Sequence, residues 1–113
     1  MNRALMIILA FAGLSAAQGK ETQGRQTFTG VITDSECAMA DHRQMQMGPT
    51  DAECVNACIS AHGASYVLFD GRNVYELSDQ TTPKKFAAQN VAVLGTLDSG
   101  MHTIEVDSIT AVD

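Results

Sequence analysis

Between Cys37 and Cys58 the chain places all three of its cysteines together with His42, Met45 and Met47. Thiolate, imidazole and thioether are the donor groups that hold soft and borderline transition ions. Cys54 and Cys58 stand four residues apart. On a helix that spacing sets both side chains on one face, their Cβ atoms about 5–6 Å apart. Cys37 and His42 come from the preceding segment, so Cys37, His42, Cys54 and Cys58 make a Cys3His set, a common ligand combination for a closed tetrahedral zinc site. The spacing Cys-x4-His-x11-Cys-x3-Cys follows no standard zinc finger. Exchange of one ligand for Met45 or Met47 moves the preference toward Cu(I), because thioethers favour soft ions.

A disulfide accounts for the same cysteines differently. In an oxidising compartment two thiols ordinarily pair, which leaves the third as an orphan. Cys54–Cys58 is a poor pair, since both lie on one face of a continuous helix and disulfide geometry is exacting. Cys37–Cys58, or else Cys37–Cys54, ties the preceding segment to the helix and closes a loop of roughly 15–20 residues, worth roughly 3 kcal/mol on the chain-entropy model. The sequence leaves metal and disulfide evenly balanced. Other residues carry blander readings. Met39 is expected to pack, His62 to sit at a helix C-terminus where the dipole favours it, and His102 to be exposed beside a turn. Asp34, Glu36 and Asp41 could form a hard-cation site, but three acids around a loop are more usually there for solubility.

These donors have to be positioned by a small set of elements. Thr27 to Asp34 is rich in β-branched and aromatic residues and reads as a strand, with Gly30 marking a bend. A loop from Met39 to Pro49 leads to a helix that opens on the capping box Thr50-Asp51-Ala52-Glu53, runs to about Ala61 and stops at Gly63. Tyr66–Phe69 and Val74–Leu77 form a hairpin around Asp70-Gly71-Arg72-Asn73. A short helix follows, with Thr82 as cap, Pro83 in its first position and Phe86 as core anchor. A second hairpin, Val91–Leu97 and His102–Ile109, closes the domain. Five strands with a helix between the third and fourth is the order of a five-stranded OB-fold-like barrel. The cysteine-bearing helix is then an insertion between strands 1 and 2. An open sheet packed by two helices is the alternative architecture.

Residues 1–17 read as a signal peptide: a basic start at Arg3, an apolar run from Ala4 to Leu14, and Ser15-Ala16-Ala17 as the cleavage site. The run is too short to span a bilayer. Residues 18–26 read as a disordered linker, and 27–113 as a single domain. The expectation is a periplasmic or extracellular protein with no membrane insertion after signal cleavage. The whole chain has a formal charge of −6. Loss of Arg3 leaves six basic residues against thirteen acidic ones, a net −7. Such a surface argues against nucleic acid, whose affinity comes from Lys and Arg neutralising phosphates. A domain of roughly 90 ordered residues with no tryptophan makes a core that gains from a staple or a structural metal.

The pattern Gly30-x-Ile32-x-Asp34-x-x-Cys37, His42, Met45, Cys54-x-x-x-Cys58, Gly63-Ala64-Ser65-Tyr66-Val67-Leu68 resembles a family of small exported bacterial proteins of unassigned function. The later stretches Val74-Tyr75-Glu76-Leu77, Phe86-Ala87 and Val91 to Thr96 belong to the same pattern. The resemblance implies export and a shared fold, and brings no activity with it. In donor chemistry alone, His42-x-x-Met45-x-Met47 is similar to the sites of periplasmic copper/silver metallochaperones. Those are OB-barrels that bind Cu(I) through a histidine and a Met-x-Met pair. This chain lacks their tryptophan, and its cluster sits in an inserted loop rather than on strands. Three classes of function follow. One is binding of Cu(I) or Zn. The second is a disulfide-stapled module for an envelope protein or glycan, with Tyr66, Phe69 and Tyr75 as aromatic contacts. An enzyme is not expected, for there is no Ser/His/Asp set, no His-Glu-x-x-His and no phosphate-binding glycine loop.

Overall fold

A computed structural model describes residues 24–43 and 46–112. The segments read as signal peptide and as most of the linker lie outside the described residues, as does Met45. Among the described residues seven elements follow one another: β1 (Gln26–Asp34), α1 (Asp51–His62), β2 (Tyr66–Phe69), β3 (Val74–Leu77), a 3₁₀ helix (Thr82–Phe86), β4 (Asn90–Asp98) and β5 (Thr103–Ala111). Gln26, assigned to the linker on sequence, is the first residue of β1 and pairs with Gly95. The short helix is 3₁₀ rather than α, and Thr81 rather than Thr82 stands at its cap. The Asp79 carboxylate accepts from the amides of both Thr81 and Thr82.

The strands form one mainly antiparallel sheet whose pairings run β1-β2-β3-β5-β4 and return from β4 to β1. Closure of that circuit excludes the open-sheet architecture. One junction is parallel and short, Glu76 and Leu77 of β3 against Thr103 and Ile104 of β5. β1 serves two neighbours. Its first half pairs with β4 and its second half with β2, and Val31 pairs on both sides. The strand must bend at that exchange, and Gly30 sits there. A Cβ on Gly30 would collide with the Phe69 carbonyl, and one on Gly95 with the Glu105 carbonyl, where β4 and β5 shift register. Only a residue without a side chain lets the backbones approach this closely.

The interior is aliphatic. Ile32, Leu68, Val91, Val93 and Ile104 are fully buried, and Tyr66, Tyr75 and Leu77 complete the cluster. α1 joins it through Val55, which is fully buried. Burial of such a side chain stabilises by about 1.5–3 kcal/mol and clamps the inserted helix to the sheet. Tyr66 and Tyr75 are thereby core residues, and the Tyr66 hydroxyl is used in a 2.6 Å hydrogen bond to Asn56. Phe69 is half-buried. The three aromatics thus do not form an exposed stacking platform for a glycan.

Candidate metal centre

At the end of β1 the strand alternation stops: Ile32, Thr33 and Asp34 are all fully buried, because the sheet interior covers one face and the insertion the other. Asp34 then opens a tight turn. Its Oδ1 accepts from the amides of Glu36 and Cys37, each at 2.9 Å, the Asx geometry for which short acids are suited. The Cys37 carbonyl accepts from the Thr33 hydroxyl and from the Ala40 amide, both at 2.8 Å. Cys37 is thus gripped at its N–H and at its C=O. The turn is tied to β2 through the Ser35 amide to the Ser65 carbonyl at 2.9 Å and the Ser65 amide to the Ser35 hydroxyl at 3.0 Å.

Ala40 adopts a left-handed backbone, φ 57°, and the chain turns back to bring His42 inward, where it is 5% exposed. Asp41 and Arg43 on either side point outward into a mutual ion pair at 2.8 Å. Hydrogen bonds from Arg43 hold the Asp41 carboxyl down at about 2. A solvent-open cleft of about 330 Å³ is lined by Ala40, Asp41, His42, Arg43, Gln46 and Asp51, so the histidine forms part of a wall between solvent and the interior.

Cys54 comes from the other side. Thr50 caps α1, accepting from the Glu53 amide at 3.1 Å. Glu53 reaches back to the Thr50 hydroxyl rather than to the amide that a full capping box would use. Cys54 is in the first turn, its amide bonded to the Thr50 carbonyl at 2.9 Å, and is 1% exposed. Its Sγ accepts the Met47 amide at 3.5 Å. The helix ends at Gly63 in the left-handed conformation, φ 66°, with its amide on the Cys58 carbonyl.

One ligand atom from each of Cys37, His42 and Cys54 lies within 4.8 Å of the other two, and all three residues are buried. Cys58, the fourth member expected from sequence, is fully buried on the same helix but stands outside this group. Its thiol lies against the Asp34 side chain. Burial, and then the Asp34 carboxylate, push the Cys58 thiol up to about 12. The same two causes raise Cys37. Met47 is half-buried and enters through its backbone amide. Met39, expected to pack, is 70% exposed, because the turn around Ala40 throws it outward. No disulfide joins any of the three cysteines, so neither Cys37–Cys58 nor Cys37–Cys54 is bridged in this structure.

Among the described residues, the buried side-chain nitrogen and oxygen atoms that find no hydrogen-bond partner are His42 Nδ1 and Asp34 Oδ2. Both belong to the segment that carries Cys37. On sequence Asp34 is one of three loop acids, read as solubilising in preference to a hard-cation site. Its signal was the spacing Asp-x-x-Cys at a strand end, which is the footprint of an Asx turn. No family model, curated protein or solved structure matches the chain.

Proposed function

We propose that the protein is an exported metal-binding module, in which Cys37, His42 and Cys54 hold a Cu(I) or zinc-class ion at the edge of a small barrel of the OB type. The observation that carries this reading is the convergence of three buried donor atoms within 4.8 Å, one of them from His42, whose Nδ1 is buried without a hydrogen-bond partner. Unpartnered buried polar atoms are destabilising, and a cation removes that penalty where a hydrogen bond does not. The Met47 amide on Cys54 Sγ supports the same reading, since backbone donors steady a thiolate held by a metal. The strand order and the place of the insertion, in the loop between strands 1 and 2, fit the OB architecture, whose corresponding loop contributes to ligand binding. Cys58 is a reserve sulfur one helical turn further in. The role is binding, delivery or storage rather than catalysis.

Native mass spectrometry tests this directly. The protein, prepared reduced and metal-free, is expected to retain one equivalent of Zn²⁺ or Cu(I), and the double variant Cys37→Ser/Cys54→Ser none. A wild-type protein that keeps neither ion overturns the reading.

The same proximity favours one alternative. Cys37 and Cys54, not Cys37 and Cys58, are the sulfurs that face each other, so an oxidised form would be stapled there and leave Cys58 free. A count of accessible thiols in denaturant, after purification without reductant or metal, separates the states: one for a bridge, three for a metal site.

A further inference from the structure

We propose that the cleft between α1 and the 3₁₀ helix is a second binding site, which takes an organic monocarboxylate with an apolar body and holds its charge at Asn56 and Lys84. The site does not rest on the metal reading above, and either can fail alone.

Glu53, Asn56, Ala57 and Ser60 recur at i, i+3, i+4 and i+7, so they make one stripe of α1. This stripe, Gln80 and Lys84 line a cleft of about 490 Å³, to which Ile59 and the buried Tyr66 add apolar surface. An adjoining cleft of about 540 Å³ shares Asn56, Thr81 and Lys84 with the first and adds Lys85. Each has the size of a small-molecule site. Asn56 and Lys84 stand where the two clefts join.

Hydrogen bonds already made decide what the lining offers. The Tyr66 hydroxyl donates to Asn56 Oδ1 at 2.6 Å, which occupies the acceptor end of that amide. Asn56 Nδ2 donates only a long 3.5 Å bond to the Lys84 carbonyl, and an amide nitrogen carries two hydrogens. Gln80 is spent: its Oε1 accepts the Tyr66 amide and its Nε2 donates to the carbonyls of Tyr66 and Leu77. The join therefore presents an amide donor beside an ammonium group. Lys84 has no counter-ion in the fold, since the ion pairs among the described residues are Arg25 with Asp107 and Arg43 with Asp41. Donors and an unpaired cation select an anion, and Ala57, Ile59 and Tyr66 beside them select an apolar body. Glu53 lines only the first cleft and Lys85 only the second. The carboxylate thus belongs at the lysines, and a second negative charge on the ligand meets Glu53.

Titration of the ¹⁵N-labelled protein with 3-phenylpropionate tests this by NMR. The side-chain amide of Asn56 and the backbone amides of Thr81 and Lys84 are expected to shift together and to saturate, with a Kd of about 1 mM or tighter. Three control compounds each lack one feature: 3-phenylpropanol the charge, acetate the apolar body, and phenyl phosphate the single charge. All three are expected to bind more weakly. Lys84→Gln, at an exposed position, is expected to weaken binding roughly tenfold, the lower end for a hydrogen bond to a charged group. Asn56→Asp keeps an acceptor for the Tyr66 hydroxyl but replaces the donor with a negative charge, and should abolish binding. Resonances remote from the cleft report that each variant is folded. Absence of a saturable shift, shifts centred elsewhere, a control that binds as well as 3-phenylpropionate, or undiminished binding by Lys84→Gln overturns the proposal.

Discussion

Cys37 is held by four hydrogen bonds through its own peptide groups and those of its turn, and Cys54 by the capped first turn of α1. Two rigid supports facing each other make a preorganised pair of sulfurs, and His42 enters as a third wall. Replacing either sulfur should therefore be far more damaging than replacing a neighbour. Cys37→Ser and Cys54→Ser are each expected to lower metal affinity by more than the roughly 10–100-fold typical of outer partners, as read by chelator competition, while Met39→Ala changes nothing. The raised thiols also predict a pH dependence with a definite sign. Cys58 titrates at about 12 in the fold and Cys37 above its ordinary 9.0, so between pH 9 and 12 the metal-free folded chain holds more protons than the unfolded chain. Stability rises with pH only where the unfolded state binds more protons, so here it falls. It is complete below about pH 9 and is lost as pH climbs through the folded values. Urea midpoints of the metal-free protein at pH 8.5 and 10.5 should show the drop, and Cys58→Val should flatten it. At this scale the sequence announced its soft donors, because their types are rare and clustered. It hid Asp34, since nothing in an acid at a strand end says that both faces of the strand are covered there.

Elements supply the rigidity, and each end of α1 has a nameable device. Loss of the Thr50 hydroxyl removes the acceptor for the Glu53 amide, so Thr50→Ala should cost about 1 kcal/mol of stability, measurable by denaturant titration. Because Cys54 hangs from the Thr50 carbonyl, the backbone bond survives and metal affinity should fall far less than in Cys54→Ser. Gly30→Ala is a harsher change. Its Cβ meets the Phe69 carbonyl and the Asp70 backbone, neither of which can move without breaking the β1–β2 register, so a loss larger than that of Thr50→Ala is expected in the same assay. The Thr50 cap of α1, the αL stop at Gly63 and the bend at Gly30 were legible, because local backbone chemistry dictates them; the cap of the short helix was one residue off. The aromatic faces were less so. Tyr66 and Tyr75 turn inward because a core without tryptophan needs their volume, and Phe69 is left half-covered near the strand end.

At the scale of the molecule, sheet closure and metal binding meet in one physical quantity, stability. The parallel junction of β3 with β5 spans two residue pairs, joins segments distant in sequence, and has no local signature, which is why closure could be expected from strand order but not read from any residue. A small chain closed by so short a seam, with an insertion clamped mainly through Val55, gains much from a ligand that ties the end of β1 to α1. A ligand that binds only the folded state stabilises it by about 2.7 kcal/mol at a free concentration 100-fold above its dissociation constant. For a domain of this size each kcal/mol moves the midpoint by about 4–8 °C, so saturation with Zn²⁺ should raise the melting temperature by roughly 10–20 °C. A chelator should return it to the metal-free value. Differential scanning calorimetry of the reduced protein checks this, with Cys37→Ser/Cys54→Ser as the control that must not respond. A disulfide between Cys37 and Cys54 would stabilise the same junction but would resist the chelator and collapse on reduction, so the two reagents applied in turn identify which bond joins β1 to α1.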